Sequence, residues 1–199
     1  MPLKIIHPHH TEVIGRGLVL LSNPHASGAG RDLYTGQIVE EAALLSKSWA
    51  IVAKEGKNFA DEAESAKSDL DKSVRDFVDE YGIKCIIVIG GTGEPGITVK
   101  SQPDGSEAKE ILDLIESGLE PHFRVNARVD QSGNGSSGSG SNDGRAERSS
   151  NHSVHIFQVE LGPEERGFQK DQFVNSFADI VGLINAKLGF SESGSGVLD

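Results

Sequence analysis

Apolar residues recur along the chain in two spacings. The stretches 17–22, 83–89 and 154–161 are short, mostly apolar and rich in Val, Ile and Leu, as buried strands are. Trp49-Ala50-Ile51-Val52-Ala53 reads as a further strand and Ile97-Thr98-Val99-Lys100 as a short extended piece. Elsewhere apolar residues return every three or four positions. Ile38, Val39, Ala42, Ala43 and Leu45 do so in 35–47, and Ala63, Ala66, Leu70, Val74, Phe77 and Val78 in 60–81. Phe173, Val174, Phe177, Ile180, Val181, Ile184 and Leu188 repeat the pattern in 171–188. Each predicts a helix with one face on a core. A shorter helix is expected over 107–117, with Gly118 and Gly82 as helix ends. Helices alternating with strands predict an α/β fold, a three-layer sandwich around a mainly parallel or mixed sheet.

Polar stretches set the expected boundaries. Residues 1–16, His-rich and carrying Pro2, Pro8 and Gly15, read as an irregular lead-in, and 17–190 as a single α/β domain. Within it, 131–150 is almost wholly Ser, Gly, Asn and charged residues, too poor in apolar surface to order itself. A flexible loop is expected there, with the composition of a linker, natural or engineered. Residues 191–199 read as a frayed tail.

Charge and composition narrow the function classes. Nineteen basic against 30 acidic residues give a net charge of −11, which disfavours a nucleic-acid partner. No segment is apolar for long enough to span a bilayer, and 1–6 lacks the pattern of a signal peptide. A soluble, cytoplasmic protein without a membrane partner is the expectation. The single cysteine, Cys85, excludes a disulfide within the chain, and its apolar surroundings predict a buried, inert thiol.

Candidate chemistry lies at strand ends, where open α/β sheets present their active residues. His25, in Asn23-Pro24-His25-Ala26-Ser27, follows the first apolar strand, and Glu160 closes the last one. A histidine and a carboxylate so placed can form a metal-and-base site. Asp32 reads as a helix N-cap or first-turn acid. An alternative role for Glu160 is an ion pair with Arg124, Arg128 or Arg166.

Three segments in order resemble the N-formylglutamate amidohydrolase-like family, related to zinc-dependent exopeptidases. They are Asn23-Pro24-His25-Ala26-Ser27 with Asp32-Leu33-Tyr34-Thr35-Gly36 behind it, then Phe123-Arg124-Val125-Asn126, then Phe157-Gln158-Val159-Glu160-Leu161 followed by Arg166. The resemblance implies a metal-dependent hydrolase of an amide bond next to a carboxylate, with zinc as cofactor and a small carboxylate-bearing amide as substrate. It makes His25 a zinc ligand, Glu160 the carboxylate that binds metal or activates water, and Arg166 the holder of a substrate carboxylate. The chain departs from the family at Val88-Ile89-Gly90-Gly91, where an Asp-hydrophobic-His-Gly sequence supplies a metal histidine. Catalytic zinc ordinarily takes three protein ligands, so a noncatalytic binding domain on a hydrolase fold is a second reading. The other histidines are a His7, His9, His10 cluster and His122, His152 and His155, the last facing away from Glu160 by strand alternation.

Gly90-Gly91-Thr92-Gly93 also resembles the glycine loop of molybdopterin-binding proteins of molybdenum-cofactor biosynthesis. That likeness implies a pterin phosphate cradled by Gly90, Gly91, Thr92 and Gly93. The chain departs from that family too, continuing Glu94-Pro95-Gly96 where an Asp and a Pro-Glu pair are expected.

Overall fold

The computed structural model describes residues 3–24, 32–54, 60–101, 105–129 and 154–190, without the side chains of 60–69 and 128–129. Eight strands form one mixed sheet: β1 (Leu3–Ile6), β2 (His10–Ile14), β3 (Val19–Asn23), β4 (Trp49–Ala53), β5 (Cys85–Gly91), β6 (Ile97–Ser101), β7 (Val125–Val129) and β8 (His155–Leu161). Their order is β1-β2-β4-β3-β5-β8-β6-β7. β4, β3, β5 and β8 run parallel at the centre, β6 is antiparallel to β8, and the β1–β2 hairpin adds antiparallel to β4. The helices are α1 (Thr35–Ser46), α2 (Ala60–Tyr81), α3 (Gly105–Leu119), the short α4 (Pro163–Arg166) and α5 (Lys170–Lys187).

Alternation along the strands divides the core in two. Val19, Leu21, Cys85, Ile87, Ile89, Phe157, Val159 and Leu161 face α1, α3 and α5 in the larger cluster. Leu20, Trp49, Ile51 and Ile86 face Leu70 and Phe77 of α2 on the other side. Helices on both faces make the three-layer sandwich that the alternating pattern predicts. β3, β5 and β8, the three most apolar runs, are consecutive neighbours at its centre.

One expectation is corrected. The stretch 1–16, read as an irregular lead-in, holds the β1–β2 hairpin. All four residues of β1 are exposed, so its pairing with β2 rests on backbone hydrogen bonds and leaves no apolar period in the sequence. The expected loop at 131–150 and tail at 191–199 lie outside the described residues. Cys85 is fully buried as expected, and burial, aided by the charge of Glu107, pushes its thiol well above the ordinary range.

The α1 and α5 helices pack side by side and are joined by a part-buried ion pair, Lys170 Nζ donating to both Glu41 oxygens at 3.0 and 2.8 Å. Burial works to raise Glu41, but hydrogen bonds from Lys170 and Gln37 outweigh it and hold the carboxyl below its ordinary 4.5. The same bond raises Lys170 above its ordinary 10.5. A depressed carboxyl stabilises the fold above its unfolded pKa, and that contribution is lost as pH falls through the folded value; for the raised amine it is lost as pH rises through the folded value. Lys170→Met is therefore expected to cost about 1 kcal/mol or less at neutral pH. In urea titrations across pH, the difference from wild type should shrink below the ordinary carboxylate range.

Candidate functional site

Because β3, β4, β5 and β8 are parallel, their C-terminal ends, Asn23, Ala53, Gly91 and Leu161, share one edge of the sheet. β6 starts at that edge, since Ile97 pairs with Leu161. Glu160, singled out in the sequence, stands one residue before this end of β8. His25, two residues past β3, is outside the described residues.

Asp32 is held at this edge by a relay that begins in the core. The Asn23 side chain, fully buried, donates through Nδ2 to the Ile89 carbonyl at 2.8 Å and to Thr35 Oγ1 at 3.1 Å. Thr35 Oγ1 donates in turn to the Asp32 carbonyl at 2.7 Å. Tyr34, at φ 70°, turns the chain into α1 in the left-handed region, so Asp32 lies outside the helix. Its Oδ1 accepts the Gly91 amide at 2.9 Å rather than capping the helix, which corrects the N-cap reading. The signal for this role was its place in the strand-end loop behind His25. Its partner, 59 positions away, could not be read from local pattern.

Glu160 stands beside Gly90 in register, and both fall on the face opposite the α1, α3 and α5 layer. A Cβ built on Gly90 would meet one atom among the described residues, Asp32 Oδ1 at 3.9 Å. The missing side chain thus leaves space beside Asp32, and Glu160 is the register partner of Gly90 on the neighbouring strand. Glu160 Oε1 accepts from Lys100 Nζ at 2.9 Å and from Gln158 Nε2 at 3.1 Å. Its ion-pair partner is Lys100, on the neighbouring strand.

Arg166 is buried beneath the turn that leaves β5. Its Nη1 donates to the Thr92 carbonyl at 3.1 Å and reaches the Leu161 carbonyl at 3.5 Å. The amides of Gly91, Thr92 and Glu94 are spent on Asp32 Oδ1, the Leu161 carbonyl and Thr92 Oγ1. Two amides of the Gly90-Gly91-Thr92-Gly93 turn and that of Glu94 just after it are thus turned to protein acceptors. Gly162, after β8, packs so closely on this turn that a Cβ would lie 2.6 Å from the Glu94 carbonyl. Gly162→Ala is expected to cost about 1–3 kcal/mol by overpacking, seen as a lower urea midpoint.

Of the remaining histidines, His122 is exposed in the turn after α3 and His152 lies outside the described residues. His155, buried at the opposite end of the sheet, has Nε2 at 2.7 Å from Glu107 Oε2 and faces away from Glu160, as alternation requires. His7 and His10 flank the hairpin turn and both aim Nε2 at Glu12, at 3.1 Å to Oε2 and 3.2 Å to Oε1. Burial works to raise Glu12, but hydrogen bonds from His7, His10 and Ser73 hold it below its ordinary value.

No protein-family model matches the sequence, and no curated protein matches it. Solved structures do. The chain is similar to a bacteriophage poly-gamma-glutamate hydrolase at 11% identity and TM-score 0.53, over 92% of this chain and 91% of that one. It is similar to the CwlD amidase from Clostridioides difficile at 10% identity and TM-score 0.50, over 85% and 96% of the two chains. A third likeness is to YNDL in a zinc-free apo form, at 10% identity and TM-score 0.52, over 92% of each. The chain therefore shares its α/β fold with these three proteins.

Proposed function

We propose that the protein is a metal-dependent hydrolase of an amide bond next to a carboxylate, akin to the N-formylglutamate amidohydrolase-like proteins, with its site at the C-terminal edge of the parallel strands. One observation carries the reading: Asp32 Oδ1 lies 3.9 Å from the open Cβ position of Gly90, whose register partner is Glu160, on the strand next to the one that leads into His25. The donor set fits zinc better with Asp32 included. An imidazole from His25 and a carboxylate from Asp32, oriented by the Gly91 amide, are borderline ligands suited to zinc. Glu160, with Lys100 already on Oε1, suits the handling of a water proton through its other oxygen more than direct ligation.

A bound zinc would supply a polarised water at neutral pH. The chain's own residues do the rest. Arg166 keeps the Thr92 turn closed over the strand ends, and Lys100, partly exposed beside Glu160, is the cation available to a substrate carboxylate. The bacteriophage neighbour makes γ-glutamyl amides natural test compounds beside N-formyl- and N-acetylglutamate.

The experiment is hydrolysis of these amides by the zinc-supplemented protein. His25→Ala and Asp32→Asn are each expected to lower kcat/KM about 100-fold or more, with the fold retained. A zinc-loaded wild type that leaves every N-acyl- and γ-glutamyl amide intact would favour the noncatalytic domain on a hydrolase fold.

A further inference from the structure

The β1–β2 hairpin carries a second cluster of metal-ligating side chains. His7, His10 and Glu12 fall within six residues, and the hairpin turn, closed by the His7 amide on the His10 carbonyl at 2.9 Å, folds them together. The two imidazoles stack with centroids 4.4 Å apart and planes 15° from parallel, each with Nε2 toward the same carboxylate, and one ring must turn for both lone pairs to meet a single ion. One ligand atom from each residue lies within 4.8 Å of the others. The nitrogen-to-oxygen separations of 3.1 and 3.2 Å are close to the edge, about 3.3 Å, of a tetrahedron with metal bonds near 2.0 Å. His10 is buried and Glu12 nearly so, beneath Ser73 of α2, whose Oγ is 3.0 Å from His10 Nε2.

We propose that His7, His10 and Glu12 bind one zinc-class divalent cation, which ties the hairpin to itself beneath α2. Two imidazole nitrogens and a carboxylate select zinc over magnesium or calcium, which prefer all-oxygen sets. Three protein ligands leave a fourth position for water. Lys54 is the neighbouring cation, and its Nζ is occupied by the His7 carbonyl, on the backbone side of the ligand. The strand holding Glu12 is four strands from that of Glu160, about 19 Å across the sheet, so the two carboxylates serve different places.

The test uses the full chain, stripped of metal with a chelator, dialysed against zinc, and then analysed for metal content and melting temperature. Glu12→Gln keeps the shape of the side chain, and His7→Ala removes a half-exposed ring, so both should fold; far-UV circular dichroism of the metal-free proteins checks this. Each is expected to lose one zinc per chain relative to wild type, together with the rise in melting temperature that zinc gives wild type. His25→Ala and Asp32→Asn should keep that zinc and that rise, whether or not the strand-end site is functional. A Glu12→Gln protein that binds as many zinc ions as wild type would overturn the proposal, as would a wild type whose melting temperature zinc leaves unchanged. If His25→Ala alone abolishes binding, the metal belongs to the strand-end site and the hairpin cluster is a hydrogen-bonded one.

Discussion

Replacing Phe173 with alanine is expected to lower the free energy of unfolding by about 3–5 kcal/mol, about a fifth or more of what a domain commonly has. The ring is fully buried, stacked on Phe177 at 5.1 Å and edge-on to Phe123 at 6.0 Å. It joins α5 to the turn after α3, so no single neighbour can move into the vacated space without breaking another contact. Urea denaturation followed by circular dichroism measures the change. A loss under 1 kcal/mol would mean that these three rings do not form one packed unit.

Asn23→Asp is expected to cost about 3 kcal/mol or more at neutral pH, although it exchanges only an amide nitrogen for oxygen. Asn23 Nδ2 serves two acceptors in a fully buried position, the Ile89 carbonyl and Thr35 Oγ1. An aspartate would set a charged oxygen against the carbonyl. Burial without a counter-ion raises such a carboxyl above its unfolded pKa, so protonation favours the folded state and the deficit should narrow as pH falls. Because Thr35 passes the constraint on to Asp32, the proposed hydrolysis should fall even under conditions where the variant is fully folded. Equal stability of the two proteins at pH 7 would show that the relay does not hold the loop.

The sequence carries the parts of this fold that depend on water avoidance. The stretch 83–89 is apolar because β5 is covered by α1 on one side and by the α2 cluster on the other, and 60–81 shows its stripe because one side of α2 is wet. Periodicity also put 35–47 on a core face, with the exception of Leu45, which is exposed at the margin. The hairpin was hidden because an edge strand held by its backbone needs no apolar pattern, and Pro8 with three histidines imitates a loop. Of the candidate site, Glu160 was visible as a carboxylate at a strand end. Its lysine partner was not, since Lys100 reaches it through antiparallel pairing of β6 with β8 that no local pattern encodes. Asp32 was misread for the same reason: a carboxylate before a helix ordinarily caps it, and only the three-dimensional approach of Gly91 diverts it.

The direction of β6 has an engineering consequence. β7 follows β6 in parallel and β8 returns antiparallel to it, so the end of β7 and the start of β8 lie together at the sheet edge away from Asp32 and Glu160. Ser101 pairs with Val129 on one side and Phe157 on the other, which sets the gap to be bridged at two strand spacings, about 10 Å. Residues 130–153 are far longer than that gap needs. A fluorescent reporter or an affinity handle spliced into this connection would be tethered through strand ends at the edge of the sheet away from Asp32 and Glu160.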